Sequence, residues 1–510
     1  MMRKKINPFI NNHWDAIIAS VVCCLVIYFL TRFGGIGISP DSVAYSEAAI
    51  NLNEKGSLID FNGLPLVDFP AGYPVFLSVF YFATGHSPIA IAPIINAALY
   101  VGVILLSSNI MLSFQGVTRW YRIAILILLA SSPCLWEVYG MIWSETLFLF
   151  LVLLFVVVWK KYNTEKTFVS LFLFAMVAAY AFVTRFAGIT LIATGLALIL
   201  FDGSLANLKK LKHFCLFLLG GVSLVLMNLL RNHYASGTLS GVREKALRTV
   251  ADNLMDIGSV LGGWFPFIAD HALMGAIFFC VLVTFATLQM IYRILQQQYY
   301  LKIETAVFGF FLVYAVFIVA ISSISRFEEL SSRLLSPLYI PMIWLATSWV
   351  PRFIENKRRV IRVILFVGSA FIFMAFFQNQ YKQNAENWEG IAYAGIPGYS
   401  EKQWKESPTI DYINKHKDSL TGAIYSDAFD GLYYLTKVKS LPLPHKEIET
   451  EKQKFLANPA LIVVWFNDGV NTDLIDLDYI KAHKNLIDTK TFEDGAIYFY
   501  KDSSSSKQPF

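Results

Sequence analysis

The sequence predicts an α-helical polytopic membrane protein of about eleven transmembrane helices, followed by a small C-terminal soluble domain of α/β or α+β type. Three observations carry that prediction. Of the 510 residues, 56% are hydrophobic and only 15% charged, whereas a soluble chain is about 25% charged. Apolar runs long enough to cross a hydrocarbon core recur from residue 16 to residue 378. Beyond that point they stop, and short strand and turn patterns replace them. The expected organisation is a transmembrane domain over 1–378 with a first external loop over 33–74, a soluble domain over 379–502, and a disordered low-complexity tail over 503–510.

Taken in order, Arg3, Lys4 and Lys5 precede a first span over 16–31 and place the N-terminus in the cytoplasm by the positive-inside rule. No small-residue cleavage site follows, so this segment reads as an uncleaved anchor. Ser39-Pro40-Asp41-Ser42 reads as a helix start, with Ser39 capping and Pro40 at the first helical position, where its missing N–H is harmless. Gly56 is the expected stop. The apolar stretch 75–84 is too short to span and suits a helix in the interface. Spans are then expected over 87–114, 123–135, 145–159, 168–183 and 187–201, with external turns at 136–144 and at Thr184-Arg185. An external loop over 231–264 separates a span over 214–230 from spans over 267–291, 306–324, 334–350 and 360–377. Every expected inner loop holds at least two basic residues, and an odd span count puts the C-terminal domain outside.

In that domain, 408–417 reads as a short helix and 422–426 as a strand. Residues 460–466 (ALIVVWF) read as a strand buried on both faces, and 486–491 with 496–500 as a hairpin.

Composition also excludes. The net charge of +5 is explained by basic inner loops, and no basic patch interleaved with aromatics points to nucleic acid. Cys23, Cys24, Cys134, Cys215 and Cys280 lie in or beside apolar runs without CxxC spacing, so buried packing is expected of them and no disulfide. The eight His are scattered without HxxxH or HExxH, and Asp427 and Asp430 lack the rest of a calcium loop. No Walker or GxGxxG fingerprint is present. Neither a metal site nor a cofactor is expected.

The candidate chemistry lies at the expected membrane edge. On the helix after Ser39, Asp41, Tyr45, Ala48, Ala49 and Leu52 share one face, so the acid faces the side that apolar residues bury. Asp41 either supports the helix N-terminus and its dipole or acts as a base at the membrane surface. Glu145, opening a span behind Ser144 as its expected cap, has the same two readings. Arg185, Arg231, Arg243, Lys245, Arg248, Arg326 and Arg333 are numerous for external segments and invite an anion. Arg185 and Arg333 stand where spans begin or end and suit a phosphate, or else pair with Glu328 and Glu329. Tyr45 and Tyr73 are candidate substrate-binding residues beside them.

SPDSVAYSEAA, PAGYPVFLSVFY, SETLFLFLVLLF, TRFAGITLIATGLALIL and SRLLSPLYIPMIWLA, in this order, resemble the GT-C glycosyltransferases of the protein-mannosyltransferase and aminoarabinose-transferase type. The likeness spans about residues 15–380. It implies a multi-pass enzyme of the bacterial cytoplasmic membrane that passes a sugar from a polyprenyl-phosphate carrier to an acceptor at the outer face, usually with inversion. The implied partners are the lipid-linked donor, a glycan, lipid or protein acceptor, and membrane lipids. In that resemblance Asp41 is the base, Glu145 the acid of the second external turn, and Arg333 the cation facing the lipid phosphate. Several relatives carry a basic residue where this chain has Asp68-Phe69-Pro70. A transporter of lipid-linked intermediates and a polysaccharide polymerase or ligase are the rival readings; the first calls for charges in mid-span.

Overall fold

A computed structural model describes residues 8–114, 116–241, 243–268, 271–326, 329–467 and 473–501. Arg3, Lys4, Lys5, Glu328 and the tail 503–510 lie outside the described residues.

The first helix, α1 (Pro8–Thr31), leads into α2 (Pro40–Lys55), which starts at the Ser39 cap with Pro40 in its first turn and ends at Gly56 with φ +67°, as expected. α3 (Gly72–Thr84) follows, and its first residue packs so closely that a Cβ on Gly72 would lie 2.5 Å from the Val183 carbonyl oxygen. Next come α4 (Pro88–Met111), α5 (Arg119–Ala130) and α6 (Pro133–Gly140). The single span expected over 123–135 is instead a bent pair: Ser132 caps a new helix with Pro133 in its first turn, and α5 and α6 meet at 48°. The expected external turn at 136–144 is therefore mostly helical.

α7 (Ser144–Glu165) and α8 (Phe168–Thr184) form a hairpin, and α9 (Ile189–Leu200) returns after a 3-10 turn at Phe186–Gly188. α10 (Asn207–Ser236) lies along α8, and α11 (Val250–Trp264) packs on α12 (Ala272–Leu295). The expected external loop over 231–264 is thus largely helix, because α10 runs on past residue 231 and Thr249 with Asp252 forms a capping box for α11. The short α13 (Gln297–Tyr300) precedes α14 (Glu304–Ile324), α15 (Ser332–Thr347), α16 (Val350–Glu355) and the 36-residue α17 (Arg359–Ala394), which passes residue 378 unbroken.

Apart from 123–135, which is the bent pair, each expected span falls mainly on one α-helix. Among the described residues, however, only seven helices are long and apolar enough to cross a membrane, or eight with the bent pair. The count of about eleven is not borne out: α8 and α9, for example, have only 17 and 12 residues. Cys24, Cys215 and Cys280 are exposed rather than buried, on the outward faces of apolar helices, while Cys23 and Cys134 are buried.

The C-terminal domain contains α18 (Lys402–Lys405), α19 (Pro408–His416), β1 (Ala423–Ser426), α20 (Phe429–Thr436), β2 (Leu441–Pro442), α21 (Glu449–Leu456), β3 (Ala460–Phe466), α22 (Leu477–His483), β4 (Asn485–Thr491) and β5 (Gly495–Lys501). The strands form one mixed sheet in the order β2-β1-β3-β5-β4. β3 is central, parallel to β1 and antiparallel to β5, which accounts for its unbroken apolar run. One apolar core runs from the helical bundle through Tyr399 and Trp404 to Ile424, Ile462 and Ile497 of the sheet. A second, around Tyr425, Leu461 and Val463, covers the other face.

Candidate active site

The site is assembled from helix ends. Ser39 and Ser42 form a reciprocal capping box on α2, and the Ser42 hydroxyl also donates to the Ile142 carbonyl at 3.0 Å. The Gly37 amide donates to Gly140 at 2.9 Å and the Ile142 amide to Gly37 at 3.3 Å, zipping the entry to α2 against the segment that leads into α7. The two acids at the starts of α2 and α7 are thereby brought together.

Arg333, the second residue of α15, joins them. Its Nε lies 2.5 Å from Glu145 Oε1, and its Nη2 pairs with Asp41 Oδ2. Its guanidinium also lies over the Trp143 ring, 4.3 Å from the centroid, and Trp143 Nε1 donates to Ser39 Oγ at 2.8 Å. Arg185, at the end of α8, reaches the same Glu145 oxygen from the other side at 2.5 Å and donates to Ser144 Oγ at 3.0 Å. The result is a chain of alternating charge, Asp41–Arg333–Glu145–Arg185. Its members differ in access: the Glu145 side chain is 0% exposed and that of Asp41 19%.

Four predicted residues, Asp41, Glu145, Arg185 and Arg333, therefore converge. Tyr45 joins them through a 3.3 Å hydrogen bond between its hydroxyl and Ser144 Oγ, and its ring packs edge-on against Phe69 and Tyr73. Tyr73, 1% exposed, packs behind Tyr45 with Glu145 in its electrostatic surroundings.

Other expectations fail on geometry. Ser144 does not cap α7: Trp143 holds that position without a side-chain cap, and the Ser144 hydroxyl is turned to Tyr45, Arg185 and Glu145. Glu329 pairs with Arg248 instead. Arg231 is spent on the Leu58 and Leu66 carbonyls, fixing the first loop, and Arg326 pairs with Asp473 of the C-terminal domain. Arg243 precedes α11 and lies over Phe186.

The C-terminal domain packs along α2, from the residue before its Ser39 cap to the loop after it. The Tyr433 hydroxyl donates to Glu47 Oε2 at 3.1 Å, Lys437 Nζ lies 3.0 Å from Glu47 Oε1, and Phe61 stacks on Tyr433 at 4.3 Å. The Tyr399 amide donates to the Ile38 carbonyl at 2.8 Å, beside Gly398 at φ +114°, where a Cβ would collide with that carbonyl. This docking carries Asp430 into the neighbourhood of Asp41, a placement that the YSDAFDG sequence does not signal.

No protein-family model matches this sequence, and no curated protein does. Solved structures that share its fold include the two that follow. ArnT from Cupriavidus metallidurans in the apo state superposes with a TM-score of 0.52 at 12% identity, over 95% of this chain and 97% of that one. ArnT from Cupriavidus metallidurans bound to undecaprenyl phosphate gives 0.50 at 11% identity, over 96% and 99%. The chain thus shares the fold of ArnT, a fold in keeping with the one that the sequence resemblance implies.

Proposed function

We propose that the chain is a membrane glycosyltransferase that moves a sugar from a polyprenyl-phosphate donor to an acceptor hydroxyl at the outer face of the bacterial cytoplasmic membrane. The observation that supports this reading is the charge chain with an open acid at one end and two guanidinium groups held by a fully buried acid. Its four members all stand at helix ends, where an amphiphilic donor meets the bilayer edge, and not in mid-span as an ion-coupled transporter prefers. A solved protein of the same fold binds undecaprenyl phosphate.

In the reaction, Asp41 takes the proton of the acceptor hydroxyl as that oxygen bonds to the anomeric carbon. The bond from this carbon to the phosphate oxygen breaks, and its electron pair leaves with the polyprenyl phosphate. Attack from the face opposite the leaving group inverts the configuration. Arg333 and Arg185 meet the departing phosphate with planar, multidentate donors. Glu145 is their positioning residue, fixing both forks from a fully buried site. The donor phosphate competes with Asp41 for Arg333, so donor binding frees the base for the acceptor. Tyr45 and Tyr73 wall the site with aromatic faces. The arginines carry the charge, so activity survives metal chelation.

The test is incubation of the purified protein in detergent with a panel of polyprenyl-phosphate sugars, scoring loss of sugar from lipid. Turnover with one donor that disappears in Asp41→Asn is expected. No turnover with any donor overturns the proposal. A reporter fused after Phe510 reads as extracytoplasmic on the proposed topology, and a cytoplasmic reading moves the acids to the other side.

A further inference from the structure

Asp430 lies in the first turn of α20 and is 7% exposed. The helix that carries it is held against α2 through Tyr433, Lys437 and the Phe61 stack, so its position relative to Asp41 is set by the docking. With Tyr433 and Lys437 three and seven residues further on, Asp430 sits on the face that α20 turns toward α2. The charged groups it faces are Asp41 from α2 and Asp60 from the first loop, both acidic. Asp427, at the end of β1, is engaged by the Phe466 amide at 3.1 Å, and Asp411 of α19 by Lys415 at 2.5 Å.

Among the described residues, Asp430 has no hydrogen-bonding or ionic partner beyond its own amide. A buried carboxyl group turned toward two other acids without a cation or donor is costly unless something from outside completes it. Helix-dipole support at α20 would be served equally by an exposed acid, so burial beside Asp41 needs a second reason.

We propose that Asp430 is an acceptor-binding residue: its carboxyl group hydrogen-bonds a second hydroxyl of a polyol acceptor whose reacting hydroxyl is held by Asp41. This rests on the glycosyltransferase reading above. Burial, with Asp41 and Asp60 adding, pushes the Asp430 carboxyl up to about 7, so near neutrality it both donates and accepts, as sugar hydroxyls do. The lipid-linked donor enters from the bilayer, whereas an acceptor arriving from water meets the covering domain first. An acid on that domain therefore selects the acceptor and leaves the donor alone.

The experiment uses the full-length protein with a polyprenyl-phosphate sugar that the wild type consumes. Glycerol and a set of methyl glycosides are the acceptor probes, and the readout is the partition of sugar between polyol and water. The wild type captures at least one polyol. Asp430→Ala lowers that partition about tenfold or more with donor KM unchanged within about twofold, while Asp430→Asn, which still donates and accepts, stays within about threefold. An unchanged partition in Asp430→Ala overturns the inference, as does a wild type that delivers sugar only to water. Should Asp430→Ala not fold, the pH dependence decides: the wild-type partition changes across pH 7 and that of Asp430→Asn is flat, whereas parallel profiles overturn the inference. A wild type that consumes no donor removes the glycosyltransferase reading itself.

Discussion

Two charged clusters of the helical bundle, one near the start of α1 and one beyond its other end, bury charge in opposite ways. Near the start of α1, Asp15 and Arg122 form a closed pair, 2.6 Å apart with a second bond from Nε at 2.7 Å, and their side chains are 2% and 5% exposed. At the far end of α7 from Glu145, Lys166 pairs with the buried Asp202. Beyond the other end of α1, by contrast, the charges form a chain whose last acid, Asp41, retains access and whose neighbour Asp430 lacks a cation. A buried ion that is fully partnered serves architecture. A chain of partners that ends at an accessible carboxylate is available to a substrate.

Substitutions at the two ends separate these roles. Asp41→Asn lowers kcat about 10²- to 10⁴-fold in the donor-consumption assay, while thermal unfolding stays close to wild type. Arg122→Ala does the reverse: it strands Asp15 and costs about 3–5 kcal/mol of stability, read as loss of folded protein on heating, with unchanged kcat per folded molecule. If Asp41→Asn unfolds the protein and Arg122→Ala abolishes turnover, the contrast between the ends is broken.

Arg185→Lys sharpens it. The charge is kept, but one ammonium group cannot serve Glu145, Ser144 and a phosphate with the geometry of a fork, so kcat/KM for the donor falls about tenfold. The smallest effect is in pH. The Asp430 carboxyl is raised from its ordinary value near 4 to about 7, so the folded state holds a proton that the unfolded state releases. The contribution of this group to stability is full below about pH 4 and is lost as pH rises through 7. Asp427, raised to about 6 by burial, adds to the decline over the lower part of that window. Melting curves of Asp430→Asn should therefore fall less steeply between pH 4 and pH 7 than those of the wild type, and equal slopes would count against a buried, unpartnered Asp430.

What was legible follows from what acts locally. The cap, the Pro and the inward face of α2 all lie within a few residues of Asp41, and the run of β3 declares a central strand. Arg333 and Arg185 stood out because cations at span ends have to be accounted for. Ser144 misled because a serine before an acid is an ordinary cap signal; its hydroxyl is claimed by Tyr45 and Arg185, which no local rule places there. The Ser131-Ser132-Pro133 break was written in the sequence, yet the apolar residues on both sides hid it. Asp430 was out of reach, since its partnership with α2 depends on how a domain folds back over a stretch almost 400 residues earlier in the chain.

That fold-back also governs how the protein can be taken apart. The strand of chain leaving α17 is stitched to Ile38 through the Tyr399 amide, three residues before Asp41, and Lys405 Nζ donates to the Gly34 carbonyl at 2.8 Å. The sheet domain is consequently a keystone rather than an appendage. Cutting the chain after Ala394, or grafting a foreign domain there, removes the stitches that hold the approach to α2, so the helical part cannot be treated as a self-sufficient unit to be trimmed and reassembled.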